Sequence, residues 1–117
     1  VKDDRVYLQH ILECLDAIIG YTSEGRSRFL TDRKTQKATL RELQELAEST
    51  QRLSSALKGR HSDLPWTAIA GFRNVLVHDY LGISLSRVWD ITQRDLPALR
   101  AAIILILDET GPSDSNG

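Results

Sequence analysis

The feature that most constrains this chain is the spacing of its apolar residues, which recur at intervals of three and four almost from end to end. Leu8, Ile11, Leu12, Leu15, Ile18 and Ile19 form one such stripe within residues 3–20. Ala38, Leu43, Leu46, Ala47, Thr50, Leu53 and Leu57 continue the pattern within residues 26–57. Leu96, Leu99, Ala102, Ile103, Ile106 and Leu107 repeat it near the end. That period buries one face of a helix, whereas a half-buried strand would alternate every second residue. Val75-Leu76-Val77 is the one stretch with strand character, but Trp66, Ile69, Phe72 and Leu76 around it keep helical spacing. The predicted fold is all-α, an antiparallel bundle of four to five helices.

Punctuation residues divide the pattern. Gly20 to Gly25 reads as a turn, with Thr22 and Ser23 as caps for the next segment. The long pattern from Arg26 to Leu57 lapses near Thr31–Thr35, where a break is predicted. Residues 59–65 form a loop, and Pro65 suits the first turn of a helix running from Trp66 to Tyr80 and stopping at Gly82. Ser84 caps a short segment, and Asp95 with Pro97 opens the last helix. Residues 1–110 are therefore expected to form one helical domain. Residues 111–117, which include no apolar side chain, are expected to be a disordered tail. The run Ala101–Leu107 is more apolar than one helix face can bury, which points to self-association.

Composition removes several classes of function. A single cysteine in 117 residues cannot form an internal disulfide. No apolar run approaches the ~20 residues of a membrane span, and the first residues have no signal-like apolar stretch. A cytoplasmic protein is the expectation. The formal charge of −1 argues against general polycation binding, yet residues 26–60 carry nine bases against four acids. Arg26, Arg28, Arg33, Lys34, Lys37 and Arg41 are candidates for contacting a phosphate backbone on that ground, with a solvated helix face as the competing reading. No pair of His, Cys, Asp or Glu has a spacing that marks a metal site, so no metal and no cofactor are expected. His10 reads as solvent-exposed on a polar edge, Cys14 as a small buried residue, and Trp66 and Trp89 as core or interface anchors.

The segment with the most chemistry is Arg73-Asn-Val-Leu-Val-His78-Asp-Tyr80. On an ideal helix Arg73, Asn74, His78 and Tyr80 share an arc of about 160°. A guanidinium presents a fixed fork to a phosphate, and an imidazole can give or take a proton near neutral pH. Together they suit phosphodiester cleavage without a metal, His78 moving a proton while Arg73 holds the phosphate. An Arg–Asp surface pair beside a helix-terminal His fits the spacing as well.

This segment resembles the R-x4-6-H-x-Y signature of the HEPN superfamily, in the branch of HepT-type toxins. Leu64-Pro65-Trp66 through Gly71-Phe72 before it resembles the family's approach to the arginine. Tyr80-Leu81-Gly82-Ile83, Val88-Trp89, Leu96-Pro97 and Leu99 follow in family order. The chain departs from the family at Ala47-Glu48-Ser49, where Gly-Glu-Ala is usual. The resemblance implies a dimeric bundle that cleaves cellular RNA, tRNA or mRNA, as the toxin of a toxin–antitoxin pair. It implies Arg73 and His78 as catalytic, Asn74 and Glu48 as supporting residues, and Tyr80 as the site adenylylated by an MNT-type nucleotidyltransferase antitoxin. A non-catalytic HEPN module that binds a nucleotide or that nucleotidyltransferase is the alternative.

Overall fold

A computed structural model describes residues 3–110. The described elements are α1 (Asp4–Tyr21), α2 (Arg26–Thr31), α3 (Arg33–Arg52), α4 (Ser55–Arg60), α5 (Trp66–His78), a 3₁₀ turn (Tyr80–Gly82), α6 (Leu85–Asp90), a π-helical segment (Ile91–Asp95) and α7 (Leu96–Thr110). No strand occurs among the described residues, and Val75-Leu76-Val77 is helical. The expected tail, 111–117, lies outside the described residues.

Long-range polar contacts give the helix directions. Asp4 meets Ser54 and His10 meets Ser49, so α1 and α3 run antiparallel. Arg5 Nη1 donates to the Leu107 carbonyl and Arg100 Nε to Asp16, which sets α7 antiparallel to α1. Glu48 faces Arg73 while Lys37 faces Tyr80, so α5 runs antiparallel to α3. The order of layers is therefore α7, α1, α3, α5. The stripe of α1 read from sequence lies in the core: Leu8, Ile11, Leu15 and Ile18 are buried against Leu43, Leu46, Ile103 and Ile106. Each such side chain contributes roughly 1.5–3 kcal/mol on burial. Truncating one, as in Ile11→Ala, costs about 2–5 kcal/mol because a cavity remains.

Local chemistry explains where the helices begin and end. Asp3 caps α1 by accepting from the Val6 amide. Thr22 and Ser23 do not cap the second helix as expected. Their hydroxyls turn back onto the Ile18 and Gly20 carbonyls, closing α1. The cap position of α2 falls to Gly25, whose φ of 97° suits a residue without Cβ. The predicted break falls at Asp32, an extended residue whose carboxylate accepts from the Lys34 amide and the Thr35 hydroxyl. The long pattern does not run unbroken to Leu57. Leu53 is extended, and Ser54 starts α4 by accepting from Leu57 N while donating to Asp4. This adds a short helix to the bundle that sequence periodicity passed over, because Leu53 and Leu57 are buried either way.

The C-terminal half departs from expectation at two points. The helix carrying the motif ends at His78, not Tyr80. Asp79 leaves helical geometry, and its carboxylate lies where a side chain on residue 82 would stand, 2.7 Å from an ideal Cβ. Gly82 thus permits the tight 3₁₀ turn. Nor does Pro97 open a separate helix. Residues 85–110 form one helical rod with a π turn before the proline, where Leu96 N–H donates to the Ile91 carbonyl. Pro97 has no N–H for the Gln93 carbonyl and its ring would crowd that carbonyl; widening the preceding turn relieves both problems.

Candidate active site

Facing α5 is one stripe of α3. Arg33, Lys37, Arg41, Gln44 and Glu48 are spaced at 4, 4, 3 and 4, so they lie on one side of that helix within about 80°. Because α5 runs antiparallel, the acidic end of the stripe meets Arg73 and its basic end meets Tyr80.

Arg73 is half-buried. Its Nη2 lies 3.5 Å from Glu48 Oε2, and Gln44 Nε2 steadies the same oxygen at 3.4 Å. Arg73 Nε is buried and has no hydrogen-bond partner among the described residues. A buried guanidinium N–H ordinarily finds an acceptor, and neither Glu48 nor Gln44 supplies one to this nitrogen. Glu48 holds the Nη2 end of the fork. Asn74 and His78 are exposed on the same helix, four residues apart and one turn from each other. Arg73, Asn74 and His78 thus share α5, and Glu48 reaches Arg73 from α3.

Tyr80 sits differently from the helical projection. Since α5 has ended, Tyr80 turns toward α3, where Lys37 Nζ lies 4.4 Å from its ring centroid. It borders two adjoining clefts of ≈ 160 and ≈ 350 Å³. The smaller is lined by Lys37, Arg41, Gln44 and Leu76, the larger by Arg33, Gln36, Leu81 and Ile83 among others. Of the six basic candidates, Arg33, Lys37 and Arg41 line these clefts. Arg28 lies elsewhere, between Glu24 and Asp32, and its charge is locally matched. Arg26 and Lys34 are exposed and line neither cleft. Arg41 also pairs with Glu45 at 2.8 Å, and that carboxylate raises the guanidinium pKa above its ordinary value. Sequence reasoning missed Gln44 and the Lys37–Tyr80 contact. The 4-4-3-4 spacing on α3 was the available signal.

Other residues also land where spacing did not put them. His10 is half-buried between α1 and α3, with Nδ1 2.6 Å from Ser49 Oγ, and is not a free surface side chain. Burial, then the neighbouring Glu42 carboxylate, pushes the Cys14 thiol up to about 12. Trp89 is half-buried against the core and packs at a tilt on Phe29, with ring centroids 5.7 Å apart. His61 is half-buried beside Glu109, and its carbonyl accepts from Trp66 Nε1.

An α-helical bundle that sets Arg73, Asn74 and His78 on one helix opposite an acidic–basic stripe defines a class of helical proteins with a charged cleft between two helices. The family model described as HepT-like, ribonuclease HepT-like, matches residues 11–106, and the chain belongs to this family of the HEPN superfamily. It is 34% identical over 116 residues to a "Putative RNase" of Methanocaldococcus jannaschii, covering 98% of this chain and 96% of that one. It is 33% identical over 100 residues to the "Probable ribonuclease HepT" of Thermococcus cleftensis, covering 85% and 91%. A "Gamma-glutamylcyclotransferase and putative RNase" of M. jannaschii is 29% identical over 116 residues, and the chain spans 52% of its length. No solved structure matches the chain. No helix among the described residues is long and apolar enough to cross a membrane.

Proposed function

We propose that this protein is the toxin of a toxin–antitoxin pair, a metal-independent endoribonuclease that acts on tRNA or mRNA in the cytoplasm. The observation that carries the reading is the Arg73 guanidinium, held by Glu48 from the facing helix and placed five residues before an exposed His78 on α5. Arg73 holds the scissile phosphate and the charge that develops on it, and Glu48 keeps the guanidinium aimed. His78 takes the proton of the ribose 2′-hydroxyl, whose oxygen attacks phosphorus. The P–O5′ bond breaks, leaving a 2′,3′-cyclic phosphate and a 5′-hydroxyl. Asn74 steadies the imidazole or the phosphate, and Arg33, Lys37 and Arg41 guide the backbone.

A second copy completes the site. Val75, Val77 and Leu81 are exposed around His78, Leu81 at 96%, and apolar surface of that kind favours burial against another chain. This end of α5 is a better dimer surface than Ala101–Leu107, where Ile103 and Ile106 are already buried and Leu105 is the main apolar side chain left outside. Two motifs in one cleft would let one His78 accept the 2′-hydroxyl proton while the other protonates the leaving 5′-oxygen.

Tyr80 is the modification site for a nucleotidyltransferase antitoxin. Its position between clefts lined by Lys37, Arg33 and Arg41 supports an adenylyl phosphate there, since those cations pair with its charge. The adduct would then occupy the basic stripe that RNA requires. The test is induction and in vitro cleavage with His78→Ala, Arg73→Ala and Tyr80→Phe. The first two should abolish cleavage and toxicity with the helical circular dichroism unchanged, and wild-type cleavage should persist in excess EDTA below the melting temperature. Tyr80→Phe should cleave RNA yet escape silencing by the nucleotidyltransferase with ATP. Full activity of His78→Ala would refute the catalytic assignment.

A further inference from the structure

Beside the α3 stripe that faces α5, α1 contributes two side chains one turn apart, His10 and Cys14, and α3 contributes Glu45, which pairs with Arg41 of that stripe. We infer that these three form a binding site for a divalent ion of the zinc class, which ties α1 to α3. Their donor atoms all lie within 4.8 Å of one another. His10 Nε2 is 3.6 Å from Glu45 Oε1 and 3.8 Å from Cys14 Sγ. Zinc bonds of about 2.0–2.3 Å at tetrahedral angles place neighbouring donors roughly 3.3–3.6 Å apart. Those two spacings need a contraction of a few tenths of an ångström, and the Cys14–Glu45 pair, within 4.8 Å, would close by rotation of the flexible Glu45 side chain.

The surroundings orient each donor. His10 Nδ1 is bonded to Ser49 Oγ at 2.6 Å, and Ser49 is buried, so the ring is fixed with Nε2 toward Cys14 and Glu45. A partner on the far ring nitrogen is the usual support of a metal-bound histidine. Glu45 accepts from Arg41 through Oε2, leaving Oε1 turned to His10. Glu42 and Glu13 add negative charge around Cys14, which a dication would neutralise. Glu42 or water would take the fourth position. Sulfur, imidazole and carboxylate together select zinc-like ions over magnesium or calcium. The partial exposure of His10 and Glu45 leaves an approach from solvent. The contact between His10 and Ser49 does not make a hydrolytic pair, because Ser49 is 7% exposed and beyond the reach of a substrate.

Binding breaks the Cys14 S–H bond, forms a metal–sulfur bond and releases one proton to solvent. None of these residues belongs to the ribonuclease motif, so the inference stands or falls independently of the proposed activity. The test uses the full chain stripped with chelator and titrated with Co²⁺ and then Zn²⁺. One ion per chain should bind, with a thiolate-to-cobalt charge-transfer band that zinc bleaches. At a hundredfold excess over Kd, zinc should raise Tm by about 10 °C. Cys14→Ser should lose the band and most of the Tm shift. His10→Gln and Glu45→Gln should each weaken binding at least tenfold, and metal-free melts would establish that each variant folds. Absence of the band and the shift in the wild type at millimolar metal would overturn the site. So would a band that survives Cys14→Ser, or affinity unchanged by Glu45→Gln.

Discussion

Glu48→Gln separates the two things Glu48 does to Arg73, which are to hold it and to neutralise it. At 3.5 Å the unscreened attraction at an effective dielectric of 20 is about 5 kcal/mol. Glu48 is 42% exposed, however, and Arg73 is 29% exposed, so solvent reduces the net contribution to about 1 kcal/mol. The variant should therefore melt about 4 °C lower. On RNA the two effects oppose each other. Without the carboxylate, Arg73 meets phosphate with its full charge, so KM should stay level or fall a few-fold. The guanidinium is also less well aimed, and a misalignment worth 1.4 kcal/mol lowers kcat about tenfold. Steady-state cleavage of a mixed tRNA substrate, run beside thermal melts, reads both parameters. Arg73→Lys combined with Glu48→Gln should lose less than the sum of the single effects, since both act through one contact. A Glu48→Gln enzyme with unchanged kcat and a KM raised several-fold would refute the positioning role.

Three further outcomes follow from the same geometry. Reversing Arg33, Lys37 and Arg41 together should weaken RNA binding and reduce the salt slope by ~0.7–0.9 per lost phosphate contact, while reversing Arg28 should change neither, because its charge is already matched. Leu81→Asp should shift the proposed dimer toward monomer in sedimentation and lower cleavage with it; an unchanged sedimentation profile would remove the Tyr80–Gly82 turn from the interface. The folded thiol of Cys14 titrates near 12 against an ordinary 9.0, so alkylation at pH 8 should be about a thousandfold slower in the metal-free native protein than in denaturant. The linkage has a definite sign. A raised folded pKa leaves stability intact below pH 9 and removes it as pH rises from 9 toward 12, and Cys14→Ala should flatten that decline.

How far the sequence was legible depended on whether a feature was periodic or relational. The core positions of α1 and α7 follow from spacing, because one helix face must be apolar whatever it packs against. Ser84 was readable because a capping side chain acts within three residues of itself, and the break at Asp32 because the apolar spacing lapses around it. The end of α5 was not, since it depends on Asp79 and Gly82 sharing one small space. Projecting Tyr80 onto an ideal helix therefore put it beside Arg73, when it belongs with Lys37. The Glu48–Arg73 pair came from family resemblance and not from spacing, for 25 residues separate the partners. The grouping of His10 and Cys14 with Glu45 was hidden for the same reason, as only the α1–α3 packing brings them together.

The π turn at Ile91–Asp95 also acts as a phase shifter. Read as uninterrupted α-helix, Val88, Thr92, Leu96, Leu99, Ile103 and Ile106 would form a single straight stripe able to serve one neighbour. One widened turn offsets the azimuth by roughly 100°, the angle of a single residue. The first part of the rod can then face α2, where Trp89 meets Phe29, while the second part faces α1. Two packing partners are thus satisfied by one unbroken helix with no loop between. Deleting one residue from Ile91–Asp95 would close the π turn to α-helix and leave Ile103 and Ile106 on the faces they now occupy, because the wide turn already absorbs that residue. The cost would fall on Pro97, whose ring would crowd the carbonyl four residues before it, so such a deletion should lower Tm without unfolding the bundle.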